Sequence, residues 1–270
     1  MDKVIGFIGS GNMGSAMIKG ITRSGLVPAR NIIASDPLEE NCKKLSELYL
    51  INTTSNNLEV AKTADILFLA VKPNMYRTII NEIKGDIKDT CIVVSIAPGY
   101  KMDSLESFFE KDLKLVRAMP NTPALVGEGM SAICPNSHIS KEDLYLVQEV
   151  FSSFSRVEII SEYMIDAVTA VSGSSPAYVF MMIEAMADGA VLGGIPRDKA
   201  YVFAAQALYG SAKMVLETGL HPGQLKDMVC SPGGSTIEAV SELEKKGFKG
   251  AIISAMEKAM DKSKSMGDNK

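Results

Sequence analysis

The sequence predicts an α/β chain in two parts: a parallel-rich sheet wound by helices over residues 1–161, then an all-helical part over 162–270. Three observations carry this. The chain opens on Val4-Ile5-Gly6-Phe7-Ile8, an uncharged run closed by Gly9-Ser10-Gly11-Asn12-Met13-Gly14 and followed at once by helix formers. Short apolar runs then alternate with amphipathic stretches, as in a sheet with helices on both faces. Finally, strand signals stop at Tyr163, and Met164 to Pro196 is 33 residues with only three charges.

The opening run reads as a buried parallel strand turning tightly into a helix. Each glycine has a physical task there: Gly9 for the turn, Gly11 for close approach of a pyrophosphate, Gly14 for packing the helix on the strand. The helix start supplies unpaired N–H groups and a positive dipole end. Glycine turns are common, but this one follows a strand, and Asp36 stands 22 residues past Gly14 at the end of a second apolar run. That context is what a dinucleotide site requires.

The elements follow in order. Asn31–Ser35 is expected as a strand and Pro37–Leu50 as a helix, with Asp36 as its cap and Pro37 in its first turn. A strand near Ile51–Thr53 and a helix near Leu58–Lys62 lead to the apolar strand Asp65–Val71. Helix Tyr76–Ile83, strand Cys91–Ser95, helix Met102–Phe109 and strand Leu113–Ala118 come next. Met130–Cys134, helix Lys141–Ser152 and Val157–Ile160 extend the sheet and close the first part. Ligands of such sheets bind at the loops after strand ends, here Ala70–Pro73, Ala97–Gly99 and Met119–Pro123. Their Pro and Gly content is also what any such loop carries.

In the second part, Asp166, Glu184 and Asp188 are too few charges to give a small monomeric domain a polar face, and Tyr201–Glu217 is nearly as apolar. The expectation is a dimerising helical domain, with helices of both copies enclosing each site. Met181, Met182 and Met186 are expected as adaptable core packing. The charged tail from Asp261 to Lys270 is expected to fray.

Composition excludes several classes. With 46% hydrophobic residues, 22% charged residues and a net charge of −4, the chain lacks the basic surface of a nucleic-acid binder. Four dispersed cysteines and two histidines suggest neither a disulfide framework nor a metal site, and they fit a reducing compartment. The opening apolar run is too short for a secretory leader. The longest membrane candidate, Ala177–Ile195, is interrupted by Glu184 and Asp188. A cytoplasmic protein is expected.

A second site is suggested at Ser231-Pro232-Gly233-Gly234-Ser235-Thr236. Exposed glycine N–H groups, a new helix start and two hydroxyls would suit a small carboxylate. Ordinary capping by Ser235 or Thr236 explains the same residues, and spacing alone leaves both readings standing. His221, before Pro222, reads as a loop residue, since no partner residue marks it as a catalyst.

The run from Pro222 to Glu244, centred on that turn, resembles the signature of pyrroline-5-carboxylate reductases. The resemblance extends through Gly9–Gly14, Ala70-Val71-Lys72-Pro73, Asn121-Thr122-Pro123, Asp166–Thr169, Ser172–Tyr178 and Ala187-Asp188-Gly189, and covers essentially the full length. It implies NAD(P)H-dependent reduction of 1-pyrroline-5-carboxylate to proline. It also implies a Rossmann-like domain followed by a helical domain that forms an interlocked dimer, often assembled into decamers. By similarity, the N–H groups of Ser235 and Thr236, with Ser231 and Gly234, would hold the substrate carboxylate. The Thr236 hydroxyl would face the imine nitrogen, and Glu162 would lie at the substrate edge. Besides Gly9, Ser10, Gly11, Asn12, Met13, Gly14 and Asp36, the dinucleotide would meet Asn57, the Ala70, Val71, Lys72, Pro73 loop, and Ile96, Ala97 and Pro98. Two positions depart from the pattern. Ser175 stands where many members have glycine, and Asp36 where NADP-preferring members carry a small hydroxyl or basic residue. The latter predicts a preference for NADH.

The chemistry fits what is missing. A cyclic imine is readily protonated and accepts hydride without a strong enzymatic acid, so orientation is the main requirement. A β-hydroxyacid-type dehydrogenase would need an acid/base lysine near the start of the helical part. Val171–Tyr178 offers none, and Lys199 and Lys213 lie well beyond it. A non-catalytic dinucleotide-binding dimer is the reading from another class.

Overall fold

A computed structural model describes residues 1–268. The chain divides into two compact units: Met1–Ser174 together with the end of the chain from Ala259, and Ser175–Lys258. The first unit therefore runs past residue 161. Its extra residues stay with the sheet because Ile165, in the short helix after the last strand, is fully buried in the sheet's core.

One eight-stranded sheet organises the first unit, in the order β3-β2-β1-β4-β5-β6-β7-β8. The strands are β1 (Ile5–Ile8), β2 (Ile32–Ser35), β3 (Asn52–Thr54), β4 (Ile66–Leu69), β5 (Ile92–Ser95), β6 (Lys114–Met119), β7 (Gly129–Pro135) and β8 (Ser155–Ile159). The helices are α1 (Asn12–Ser24), α2 (Glu39–Tyr49), α3 (Asn57–Thr63), α4 (Tyr76–Ile83), α5 (Met102–Phe109) and α6 (Lys141–Ser152), then the single turn α7 (Ile165–Val168). All pairings are parallel except β6 with β7. Residues 120–128 between those two strands hold only a 3₁₀ turn, too short for the crossover that a parallel pair needs. The strand order reverses between β1 and β4, and that switch point opens a crevice at the strand ends.

Every residue of β1, β2, β4 and β5 is buried, as expected of strands covered on both faces. One face packs Phe7 against Phe68, with ring centroids 4.7 Å apart, and Phe68 against Phe151 at 5.6 Å. The other collects Leu67, Leu69, Tyr76, Ile80, Val93 and Leu115. Burying such side chains stabilises by about 1.5–3 kcal/mol each, so the sheet is a rigid platform for its loops.

The second unit consists of α8 (Ser175–Leu192), α9 (Arg197–Thr218), α10 (Pro222–Val229), α11 (Ser235–Lys245) and the first part of α12 (Phe248–Asp268). Helices α8 and α9 bury Ala187, Ala200 and Ala204, small residues that let the helix backbones approach closely. Phe180, Met181, Leu192, Val202 and Phe203 are each more than half exposed. Met181 and Met186 thus lie on the surface of the single chain rather than in its core. The reason is that α8 buries only Ala187, and α9 only Ala200 and Ala204. So large an apolar surface marks an interaction face.

Two further expectations are corrected. Helix α2 starts at Glu39 with Leu38 as its cap, so Asp36 and Pro37 precede the helix. The tail is helical through Asp268, the last described residue, and residues 269–270 lie outside the described part. Ser263, 4% exposed, anchors the tail by donating to Asp166 Oδ1 at 2.6 Å. Lys262 and Lys264 on either side of Ser263 stay exposed.

Candidate active site

The turn after β1 is built as its glycines require. Gly9 has φ of +96°, a region open mainly to glycine, and a Cβ there would lie 2.7 Å from Ala70 O. A Cβ on Gly14 would lie 2.5 Å from Gly9 O. Gly11 caps α1, is exposed, and has open space where its Cβ would point. The first helical bond of α1 runs from Ser15 N–H to Gly11 O at 2.9 Å. This leaves the N–H groups of Asn12, Met13 and Gly14 without a carbonyl of their own helix. A crowded turn with one open glycine and a free helix start fits a pyrophosphate.

Neighbouring loops border the same edge. Gly9 N–H donates to Ser35 O at 2.9 Å and Ala70 N–H to Ile8 O at 2.8 Å, which ties the ends of β1, β2 and β4 together. The Ala70–Pro73 loop is braced from below by Tyr76, whose buried hydroxyl donates to Leu69 O at 2.5 Å. Tyr100 bridges it to the β5 loop by donating to Pro73 O at 2.9 Å. Lys72 is exposed on that loop. Ile96 and Pro98 are half-buried and Ala97 is buried beyond the end of β5.

Asp36 and Asn57 already have protein partners. Asp36, 7% exposed, accepts from Ser10 N–H (3.1 Å) and Ser10 Oγ (2.6 Å) on Oδ2, and from Leu38 N–H and Asn41 Nδ2 (both 3.0 Å) on Oδ1. Burial alone would raise its pKa. These hydrogen bonds outweigh that and hold the carboxyl below its ordinary value. Asn57 accepts from Ser35 Oγ at 2.7 Å and donates to Glu82 Oε2 at 3.0 Å.

Glu162 is also engaged. Its Oε1 accepts from Arg117 Nη1 at 2.8 Å and from the Met102 N–H at the start of α5 at 2.6 Å. Both Arg117 and Glu162 line a cavity of about 470 Å³ with Gly99, Lys101 and Asp166. Sequence reasoning missed Arg117, a buried cation on β6 whose Nε has no hydrogen-bond partner among the described residues. Its signal was present, as the one charge inside the otherwise apolar run from Leu115 to Met119.

In the second unit, the Ser231–Thr236 turn leads into α11 through a backbone cap. Gly234 N–H donates to Ser231 O at 3.0 Å, Gly233 has φ of +67°, and Gly234 itself is the cap of α11, with no side-chain cap bond. Neither Ser235 nor Thr236 caps the helix. The first helical bond is from Glu238 N–H to Gly234 O, so the N–H groups of Ser235, Thr236 and Ile237 are the helix's orphan donors. His221 caps α10, its Nδ1 accepting from Gly223 N–H at 3.0 Å, which gives it a structural task.

A mostly parallel sheet with a glycine-rich turn at its switch point is the arrangement of the Rossmann-like dinucleotide-binding class, and comparison with known proteins narrows this. Residues 4–99 match the family "NADP oxidoreductase coenzyme F420-dependent", and residues 162–266 match "Pyrroline-5-carboxylate reductase dimerisation". The chain is 53% identical over 266 residues to the pyrroline-5-carboxylate reductase of Escherichia coli (strain K12), covering 98% of this chain and 99% of that protein. It is 44% identical to human pyrroline-5-carboxylate reductase 2, covering 94% of this chain and 80% of that one. The crystal structure of the Plasmodium falciparum pyrroline carboxylate reductase with NADP bound is similar at 35% identity, with a TM-score of 0.90 and 98% of both chains covered. The chain belongs to the pyrroline-5-carboxylate reductase family.

Proposed function

We propose that this chain reduces 1-pyrroline-5-carboxylate to L-proline. The full-length similarity to reductases of that substrate carries the reading, and the glycine turn and the Ser231–Thr236 turn supply the two binding elements. The N–H groups of Asn12, Met13 and Gly14 at the start of α1 would hold the dinucleotide's pyrophosphate, with Gly9, Ser10 and Gly11 shaping the turn. Asn57, Ala70, Val71, Lys72 and Pro73, and Ile96, Ala97 and Pro98 would border the rest of it. When bound, the reduced nicotinamide supplies the hydride.

The chain's own residues then have three tasks. Ser231, Gly234 and the N–H groups of Ser235 and Thr236 hold the substrate carboxylate at the start of α11, where the helix dipole favours an anion. The Thr236 hydroxyl, free of any capping bond, hydrogen-bonds the imine nitrogen and fixes the orientation of the ring. Glu162 keeps the N-terminus of α5 and Arg117 in register. A steady supply of either reduced nucleotide and the cyclic imine should yield proline.

For the cofactor we propose NADH over NADPH. Glu39 and Glu40 put two carboxylates at the start of α2, and the next cation in sequence is Lys43. Glu39 and Glu40 are exposed there, so a 2′-phosphate would meet like charge. Comparing kcat/KM for the two nucleotides tests this, and a markedly higher value with NADPH refutes it. We also propose a homodimer built on the apolar faces of α8 and α9, open to assembly into a decamer. The four unpaired cysteines suit a cytoplasmic enzyme, and no helix among the described residues is long and apolar enough to cross a membrane.

A further inference from the structure

The geometry around Asp36 points to a role other than that of a ribose acceptor: we infer that Asp36 is a positioning residue that presets the glycine-rich turn through Ser10 and serves NADH and NADPH alike. This rests on the reading that the Gly9–Gly14 turn holds the dinucleotide.

A carboxylate at the end of the second strand ordinarily accepts from the adenosine ribose. To do so it must offer a free lone pair outward. A carboxylate has about four acceptor positions, and four protein donors already occupy those of Asp36. Two of them come from one residue, Ser10, whose N–H and hydroxyl both close on Oδ2. Ser10 in turn cannot aim either donor at a phosphate while this pair holds. Its carbonyl accepts from Ser15 Oγ at 2.6 Å, so the same residue also fixes the first turn of α1. The other carboxylate oxygen holds Leu38 N–H and Asn41 at the start of α2.

Asp36 therefore clamps two segments together, the phosphate-side turn and the turn that would face the adenosine. The clamp is internal, since Ser10 and Asp36 are 5% and 7% exposed. Its effect is to hold Gly11 and the N–H groups after it in a fixed open arrangement before the nucleotide arrives, which lowers the ordering cost of binding. A preset pyrophosphate cradle favours both nucleotides equally, because they share the pyrophosphate. Discrimination at the 2′ position then falls to the exposed Glu39 and Glu40.

The test uses the full-length enzyme and its variants Asp36→Asn and Ser10→Ala, with NADH and NADPH dissociation constants measured by protein fluorescence quenching and KM and kcat measured for each. Asp36→Asn should weaken both nucleotides by a similar factor, on the order of tenfold for lost charge-assisted hydrogen bonds. The ratio of the two constants should move by less than about threefold, and the loss should fall on KM rather than kcat. Ser10→Ala, which removes one donor and leaves the charge, should show the same equal loss at smaller size, and it decides the matter should Asp36→Asn fail to fold. A shift of the ratio toward NADPH by tenfold or more in Asp36→Asn would overturn the inference and restore Asp36 as the ribose reader. Unchanged affinity for both nucleotides in both variants would overturn it too. If the unaltered enzyme bound neither nucleotide, the underlying site reading would fall along with the inference.

Discussion

Arg117 Nη1 donates to Glu162 Oε1 at 2.8 Å, and this one pair ties β6, inside the sheet, to the chain beyond β8. The guanidinium is 5% exposed and the carboxylate 33%. The same oxygen takes the Met102 N–H at the start of α5. Removing one member of a buried pair strands the other charge, at a cost of about 3–5 kcal/mol, and the partial exposure of Glu162 places it at or below the lower end. Glu162→Gln should therefore lower the melting temperature. If Glu162 served the substrate alone, the variant would raise the KM for the imine and melt like the unaltered enzyme.

Thr236→Ala separates chemistry from scaffold. It keeps the backbone N–H for the carboxylate and removes only the hydroxyl. Turnover should fall by roughly ten- to a thousandfold, the range for one oriented hydrogen bond. Since Gly234 caps α11, stability should change by much less than the ~1 kcal/mol lost with a capping side chain. Turnover and melting temperature measured side by side check this, and an active but unstable variant would return Thr236 to the scaffold.

Acid should weaken the first unit through three aspartates. Burial raises the pKa values of Asp36, Asp65 and Asp143, but hydrogen bonds, with Lys88 beside Asp65 and Lys114 beside Asp143, hold all three below their ordinary 3.8. Groups with depressed folded values contribute fully above the unfolded value and lose that contribution as pH falls through the folded one. Stability should be flat with respect to these groups above about pH 5 and should fall below 3.8. Asp143→Asn should flatten part of that acid limb in urea melts taken across pH, and an unchanged limb would contradict the assignment.

The apolar surface of the second unit should be an interface. Phe180 and Phe203 are 63% and 64% exposed in the single chain. Replacing both by aspartate should shift the mass seen by light scattering to that of the monomer and abolish most activity. An active, well-folded monomer of the unaltered enzyme at micromolar concentration would contradict the proposed dimer.

The exposed pair on α2 should set nucleotide choice. Glu39→Lys combined with Glu40→Lys should raise kcat/KM for NADPH relative to NADH by about tenfold, the effect of exchanging two repulsive charges for attractive ones near a phosphate. An unchanged ratio would place discrimination elsewhere.

What was legible in the sequence was local. The turn from Gly9 to Gly14 announces itself because strand, glycines and helix are contiguous, and helices such as Tyr76–Ile83 and Met102–Phe109 have the bounds their periodicity gives. What escaped depends on pairs far apart in the chain. Asp36 sits at the expected place, but its aim toward Ser10, 26 residues away, is set by how β1 and β2 pair. The tail looked like a fraying end because its charges were visible and the contact of Ser263 with Asp166, 97 residues apart, was not. Likewise Ser235 and Thr236 read equally as caps until the turn placed Gly234 in that position.

The central claim is tested most directly by one assay. Purified enzyme is mixed with 1-pyrroline-5-carboxylate and NADH or NADPH, nucleotide oxidation is followed by absorbance, and the product is identified by chromatography. Stoichiometric L-proline for each nucleotide oxidised, faster with NADH, is the result expected. Oxidation of neither nucleotide, or oxidation without proline, would contradict the account.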